Sequence, residues 1–241
     1  MSRKRNPAWI PNQHGAWAML TAPLLTGILA SEPRWVHLPL TGFWFTGYFA
    51  FFATTLWLKA RRRPRYRTPM LTYAVSSTVL GLLTLAMQPG LLRWAPLFLV
   101  PLGVGLTASL VRDERSLWSG VSTTAGSCLM TLVAYDAGGG TNWTRAWILT
   151  GVLAAYFAGT VLYVKSMIRE RGEPAYHWLS MMGHSAATVA MIWVSPWLVA
   201  VFAVLTIRAA VVPVFGFTAK QIGFGEVAST LVVAVTALLV T

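Results

Sequence analysis

Ionisable side chains are scarce in this sequence, so each one set among apolar residues is a candidate for chemistry. Of 241 residues, 11% are charged and 56% are hydrophobic. Near the N-terminus, Pro11-Asn12-Gln13-His14-Gly15-Ala16-Trp17 gathers three polar side chains ahead of an apolar run. Asn12 can cap a helix, Gly15 permits close backbone approach, and His14 projects from the first turn as an acid/base candidate. The bland reading of the same residues is a cap with an interfacial His and Trp. A second group, Arg112-Asp113-Glu114-Arg115-Ser116, either neutralises itself in a surface turn or places Asp113 or Glu114 at the cavity as a base, a metal ligand or a partner for Lys59 or Lys165. His177 and His184 stand seven residues apart, about two turns along one helical face. With His14 they could ligate haem, but no i, i+4 His pair makes a metal or haem site specific, and a hydrogen-bonded structural His184 is the default. Arg208 and Glu226 fall in successive apolar blocks, which makes a buried ion pair across the last hairpin the expectation and a proton relay the sharper option.

Two segments are alike. Phe51-Phe-Ala-Thr54-Thr-Leu56-Trp57-Leu-Lys59 continues to Arg63 and Arg65; Phe157-Ala-Gly-Thr160-Val-Leu162-Tyr163-Val-Lys165 continues to Arg169 and Arg171. At a constant offset of 106 the Phe, Thr, Leu, Lys and both Arg positions coincide, and Trp57 matches Tyr163. Helices that end at a cytoplasmic surface commonly finish in Lys or Arg, but that does not align the Phe, Thr and Leu. Fixed-offset self-similarity of this kind indicates duplication. Related helix ends would bring Lys59, Arg63, Lys165 and Arg169 to one cavity mouth, with Tyr163, Asn12 and Gln13 beside them. Such a cluster suits an anion: a phosphate, a diphosphate or a lipid headgroup.

The elements that must position these residues are membrane spans. The apolar residues fall in blocks of about 18–22, long enough to cross a hydrocarbon core. Nine blocks can be drawn at 14–30, 37–58, 69–87, 91–111, 116–135, 145–165, 176–194, 196–214 and 223–240. The expectation is an all-α polytopic bundle forming a single integral domain over 1–241. Its four-helix parallel pseudo-repeats are 14–111 and 116–214, followed by a last helix at 223–240. The formal net charge of +12 then has a topological origin rather than a nucleic-acid partner. With the N-terminus inside, fifteen Lys and Arg fall on inner segments and Arg34, Arg93 and Arg145 on outer ones, with Arg208 inside a span. This predicts a bacterial inner-membrane protein with a cytoplasmic N-terminus and an external C-terminus, in contact with membrane lipids. The basic Met1–Arg5 stretch precedes a first block read as a retained helix rather than a cleaved signal. Cys128, the single cysteine, lies in an apolar block, which excludes an intramolecular disulfide and a Cys cluster.

The stretches PNQHGAW (11–17), LWLKARRR (56–63), RDERS (112–116), GTVLYVKSMIRERG (159–172) and KQIGFGE (220–226) resemble the bacterial YwiC-like membrane proteins. That resemblance implies no particular chemistry. Nine helices with a four-helix repeat also look like the UbiA prenyltransferase superfamily. This second likeness implies a prenyl diphosphate held through Mg²⁺ by Asp-rich loops after helices two and six. Here those loops read LKARRRPRYR and VKSMIRERGEP and contain no Asp. The metal-dependent transfer is therefore not expected, and no cofactor is assigned. The leading expectation is recognition of an isoprenoid or lipid phosphate, with its modification as the enzymatic option. The alternatives are a small-solute transporter, suggested by the repeat and the Gly/Pro-interrupted helices, and a haem- or quinone-linked respiratory component using His14 and His184.

Overall fold

Apolar blocks placed in lipid must satisfy every backbone N–H and C=O internally, and the α-helix does this within one segment. The computed structural model describes residues 6–11, 14–114 and 116–241, with only the backbone of His14 and Gly15. The described residues contain nine α-helices and no strand. They are α1 (His14–Ala30), α2 (His37–Lys59), α3 (Pro64–Met87), α4 (Ala95–Leu110), α5 (Leu117–Ala137), α6 (Trp143–Val164), α7 (Pro174–Ala190), α8 (Pro196–Val211) and α9 (Ala219–Val240).

Local sequence fixes the helix ends. Pro64, Pro174 and Pro196 open α3, α7 and α8, where a missing N–H costs nothing. Asn142 accepts from the Arg145 N–H to cap α6, and Thr218 with Gln221 forms a capping box on α9. The ends of α2 and α4 close differently. Arg61, Arg62 and Arg112 take positive φ of 51°, 60° and 59°, and the N–H groups of Arg62 and Asp113 reach back to the carbonyls of Trp57 and Ala108. This wrapped C-terminal turn normally employs glycine; here the basic loop residues adopt it themselves.

Six helical stretches are long and apolar enough to cross a membrane: 64–87, 89–110, 117–137, 143–169, 196–214 and 219–240. α1 and α7 have 17 residues each. α2 has 23, but carries its apolar surface largely on Phe, Trp and Tyr.

α5 and α6 form the interior. α5 packs against α1, α4 and α6, while α6 packs against α5, α7 and α9; α9 closes the arrangement against α1 and α8. The main core joins Leu132 and Tyr135 of α5 to Leu149, Leu153 and Phe157 of α6, Phe202 of α8 and Val233 of α9. By contrast α3 lies on the outside against α2, with Leu71, Val75, Val79, Leu82 and Leu83 exposed. An apolar exterior of that extent is what a lipid solvent allows.

α1 approaches α5 closely at Gly27. A Cβ added at Gly27 would lie 2.3 Å from the Thr131 carbonyl oxygen and 2.8 Å from Ala134 Cβ, whereas one added at Gly151 meets nothing within 4 Å. We predict that Gly27→Ala lowers thermal stability in detergent by about 1–3 kcal/mol. Gly151→Ala should be neutral or stabilising by up to about 1 kcal/mol. Equal melting temperatures for the two variants would show that the α1–α5 seam is not tightly packed.

Candidate functional site

The second half of the chain buries a polar centre between α6, α8 and α9. Glu226 lies two turns into α9 and is 7% exposed. Its Oε1 forms an ion pair with Arg208 Nη1 of α8 at 2.8 Å. Its Oε2 accepts from the Thr160 hydroxyl at 2.8 Å and lies 3.0 Å from the Tyr156 hydroxyl, both on α6. Tyr156 also meets Thr230 Oγ1 at 3.1 Å. Arg208 Nη1 donates to Ser229 Oγ at 2.8 Å, and the guanidinium lies over the Tyr163 ring, 4.4 Å from its centroid. A carboxylate with an ion partner and two hydroxyl donors is well compensated for its loss of water.

His184 of α7 borders this centre and is 2% exposed. Its Nδ1 is 2.8 Å from the Ser180 carbonyl oxygen. A carbonyl only accepts, so Nδ1 carries the proton, and Nε2 of the neutral ring is a bare acceptor. Nε2 faces α6, where a Cβ added at Gly159 would lie 3.1 Å away. The imidazole meets Tyr163 edge-on at 6.3 Å between ring centroids.

The first half is hollow where the second is polar. A cavity of about 520 Å³ lies between α2, α3, α4 and α5. Phe43, Trp44 and Phe51 line it from α2, Gly81 and Leu85 from α3, Phe98 and Leu102 from α4, and Met130 from α5. α3 meets the 3-10 turn at Pro89–Trp94 but shares little contact with α4, and residues of both helices line the cavity. At one end Asp136 ties the turn to α5. Its carboxylate accepts from Arg93 Nη2 at 2.6 Å and Trp94 Nε1 at 2.8 Å, and its carbonyl accepts from Gln88 at 3.0 Å.

The residues singled out in the sequence are distributed as follows. Lys59 is ion-paired with Glu114 across the α4–α5 turn. Arg63 is exposed at the start of α3. Lys165 opens a π-helical turn, Lys165–Arg169, that continues α6; it lies 4.0 Å from Glu170 and over the Tyr176 ring at 4.9 Å. Arg169 ends that turn. α2 and α6 do not pack along one another, and Lys59 and Lys165 each approach a carboxylate, Glu114 and Glu170. Asp113 is exposed and accepts from Trp118 Nε1 at 3.1 Å. Asn12, Gln13, Arg115 and the His14 side chain lie outside the described residues. Among the described residues no three His, Cys, Asp or Glu side chains are grouped to hold a metal ion.

Several interior polar groups escaped the sequence reading. Tyr156, Thr230 and Ser180 sit in apolar helices with no local signal. His37 is 5% exposed, with Nε2 2.9 Å from the Ala134 carbonyl oxygen and Nδ1 accepting from the Arg34 N–H at 2.9 Å. Both nitrogens are thereby occupied in the neutral ring, which makes it a tether between α2 and α5.

Fold and interior define a multi-helix membrane protein with one hollow and one polar half. The chain belongs to the YwiC-like protein family, whose model matches residues 10–135. It is similar to "Uncharacterized protein YwiC" of Bacillus subtilis (strain 168), with 33% identity over 178 residues, 73% of this chain and 74% of the relative. It is also similar to an "Uncharacterized protein" of Haemophilus influenzae, with 26% identity over 224 residues, 92% of this chain and 94% of the relative. No solved structure matches the chain.

Removing either partner of the buried pair leaves a charge without compensation. Arg208→Met or Glu226→Leu alone should destabilise by about 3–5 kcal/mol, whereas the double variant should recover much of the loss. Thermal unfolding of the four proteins in one detergent checks this. Additive losses would mean that the two charges are solvated separately.

Proposed function

We propose that this chain binds a lipophilic ligand, an isoprenoid or acyl chain with an anionic end, drawn sideways from the bilayer into the cavity between α2, α3, α4 and α5. The observation that carries this is the cavity itself. At about 520 Å³ it falls within the range of small-molecule sites, and its wall is almost wholly apolar and aromatic. Its opening between α3 and α4 faces what would be lipid. A solute dissolved in water has no advantage there, whereas a chain already in the bilayer moves in without crossing a polar barrier. Lys59 and Arg63 lie toward the basic end of α2. Lys59 is eight residues beyond Phe51, about 12 Å along the helix. They are the groups placed to hold the anionic end of such a ligand while its tail lies in the cavity.

The membrane arrangement belongs to the same reading. All nine helices cross the bacterial inner membrane, with the N-terminus and the basic turns after α2, α4 and α6 in the cytoplasm and the C-terminus outside. The exposed Trp35, Trp193 and Trp197 mark the opposite interface. A parallel duplication is supported by the element boundaries. An offset of 106 carries His37–Lys59 onto 143–165, against Trp143–Val164 for α6. It carries Pro64–Met87 onto 170–193, against Pro174–Ala190 and its continuation to Trp193. His14–Ala30 moves onto 120–136, inside Leu117–Ala137.

Two measurements test these statements. Reporter fusions after Arg63 and after Arg171 should read cytoplasmic and one after Gly139 periplasmic; a periplasmic Arg63 junction would reverse the orientation. Protein purified in mild detergent should carry an isoprenoid or acyl lipid detectable by mass spectrometry of its extract. Leu102→Trp, which fills the cavity, should reduce that lipid at least several-fold without loss of monodispersity, and Lys59→Ala should weaken retention of its anionic forms. Wild-type protein free of any such lipid, or equal loading in Leu102→Trp, would refute the cavity as a binding site.

A further inference from the structure

The polar centre of the second half has more hydrogen-bonding capacity than its own residues use. Glu226 and Ser229 occupy Nη1 of Arg208. Among the described residues, Arg208 Nε and Nη2 have no hydrogen-bond partner, and neither do His184 Nε2 and Ser180 Oγ. Ser180 is 0% exposed and His184 2%, so water does not solvate these atoms from the surface. Interior polar atoms in this state are costly and exceptional.

Their chemistry is complementary to one kind of ligand. Nε and Nη2 share one edge of the guanidinium, the fork that grips two oxygens of a phosphate or carboxylate. His184 Nε2, with its proton on Nδ1, needs a donor instead. A ligand meeting both demands presents two acceptor oxygens and one hydroxyl. Position favours a single ligand for both. The Tyr163 ring adjoins both: the guanidinium lies 4.4 Å and the His184 ring 6.3 Å from its centroid.

We propose that Arg208, His184 and Ser180 form a second ligand site, distinct from the apolar cavity, that takes a hydrogen-bearing phosphate group: free dihydrogen phosphate or the phosphate monoester headgroup of a lipid. The approach is from the basic end of the bundle. Lys165 and Arg169 bound the π-helical turn that follows Tyr163, and they would draw an anion toward the centre. The fork is closed from solvent in this conformation, so entry requires the inner end of α6 to shift. The backbone already leaves the regular α-helical register there, as helices often do at ligand sites.

The test is thermal unfolding in an uncharged detergent with inorganic phosphate, with phosphatidic acid in mixed micelles, and with chloride at matched ionic strength. Wild type should gain about 3 °C or more over chloride in phosphate or in phosphatidic acid, and the arm that responds identifies the source. Arg208→Lys retains a cation for Glu226 but has no fork, and His184→Gln lies outside the ion pair. Both should fold and both should lose most of the gain. A wild type indifferent to both probes, or a gain undiminished in both variants, would overturn the proposal.

Discussion

A guanidinium carried into the apolar interior of a helical bundle has no water to share its charge with, so the protein around it must be arranged to do so. Arg208 illustrates what that requires. One nitrogen is shared between Glu226 and Ser229, and the plane of the group rests on Tyr163. Glu226 in turn draws in Tyr156 and Thr160. A single buried charge thus fixes side chains on three helices, and α6, α8 and α9 are held in register by hydrogen bonds of a few ångströms. Apolar contact alone sets no such register, because lipid is as good a partner for Leu as another helix is.

Other polar side chains of the spans meet the same constraint. His37 bonds through both ring nitrogens, to the loop before α2 and to α5. Thr54, Thr150 and Thr188 return their hydroxyls to carbonyls four residues back. Among the described residues, interior polar atoms without a hydrogen-bond partner occur at Arg208, His184 and Ser180 and also at Trp57, Ser109, Thr124, Thr131 and Arg145. What distinguishes the first group is that a guanidinium and an imidazole both adjoin one ring, Tyr163.

What could be read from the sequence follows from how the information is stored. Helix positions are local: a block of apolar residues, a Pro at its head, a basic run at its tail. The blocks drawn at 14–30 and 37–58 coincide with α1 and α2 nearly residue for residue. Arg208 and Glu226 were visible because charge is rare in such blocks. Tyr156 and Thr230 were not, because hydroxyls in membrane helices usually bond their own backbone and give no outward sign of another partner. The cavity was invisible for a different reason. It depends on α3 and α4 standing apart, and no residue in either helix records a distance to the other. The cationic ends of α2 and α6 show the converse. Their likeness at offset 106 is real in the sequence, yet it does not record which carboxylates approach the two Lys side chains, Glu114 and Glu170.

The two parts of the chain differ in how their interiors are held. At the offset of 106, Arg208 of α8 corresponds to Leu102 of α4, whereas Glu226 stands on α9, outside both similar segments. Leu102 lines the cavity. A buried charge is tolerable only with its partner, so Arg208 and Glu226 must be present together, and Leu102 needs no such partner. Where they are present, the last two helices are bound to α6 and the interior is filled. Where they are absent, α4 is held to α5 by apolar contact and α3 to α2, with a gap between them. An apolar gap on one side and a charge-linked interior on the other thus give two chemically opposite environments within a single bundle.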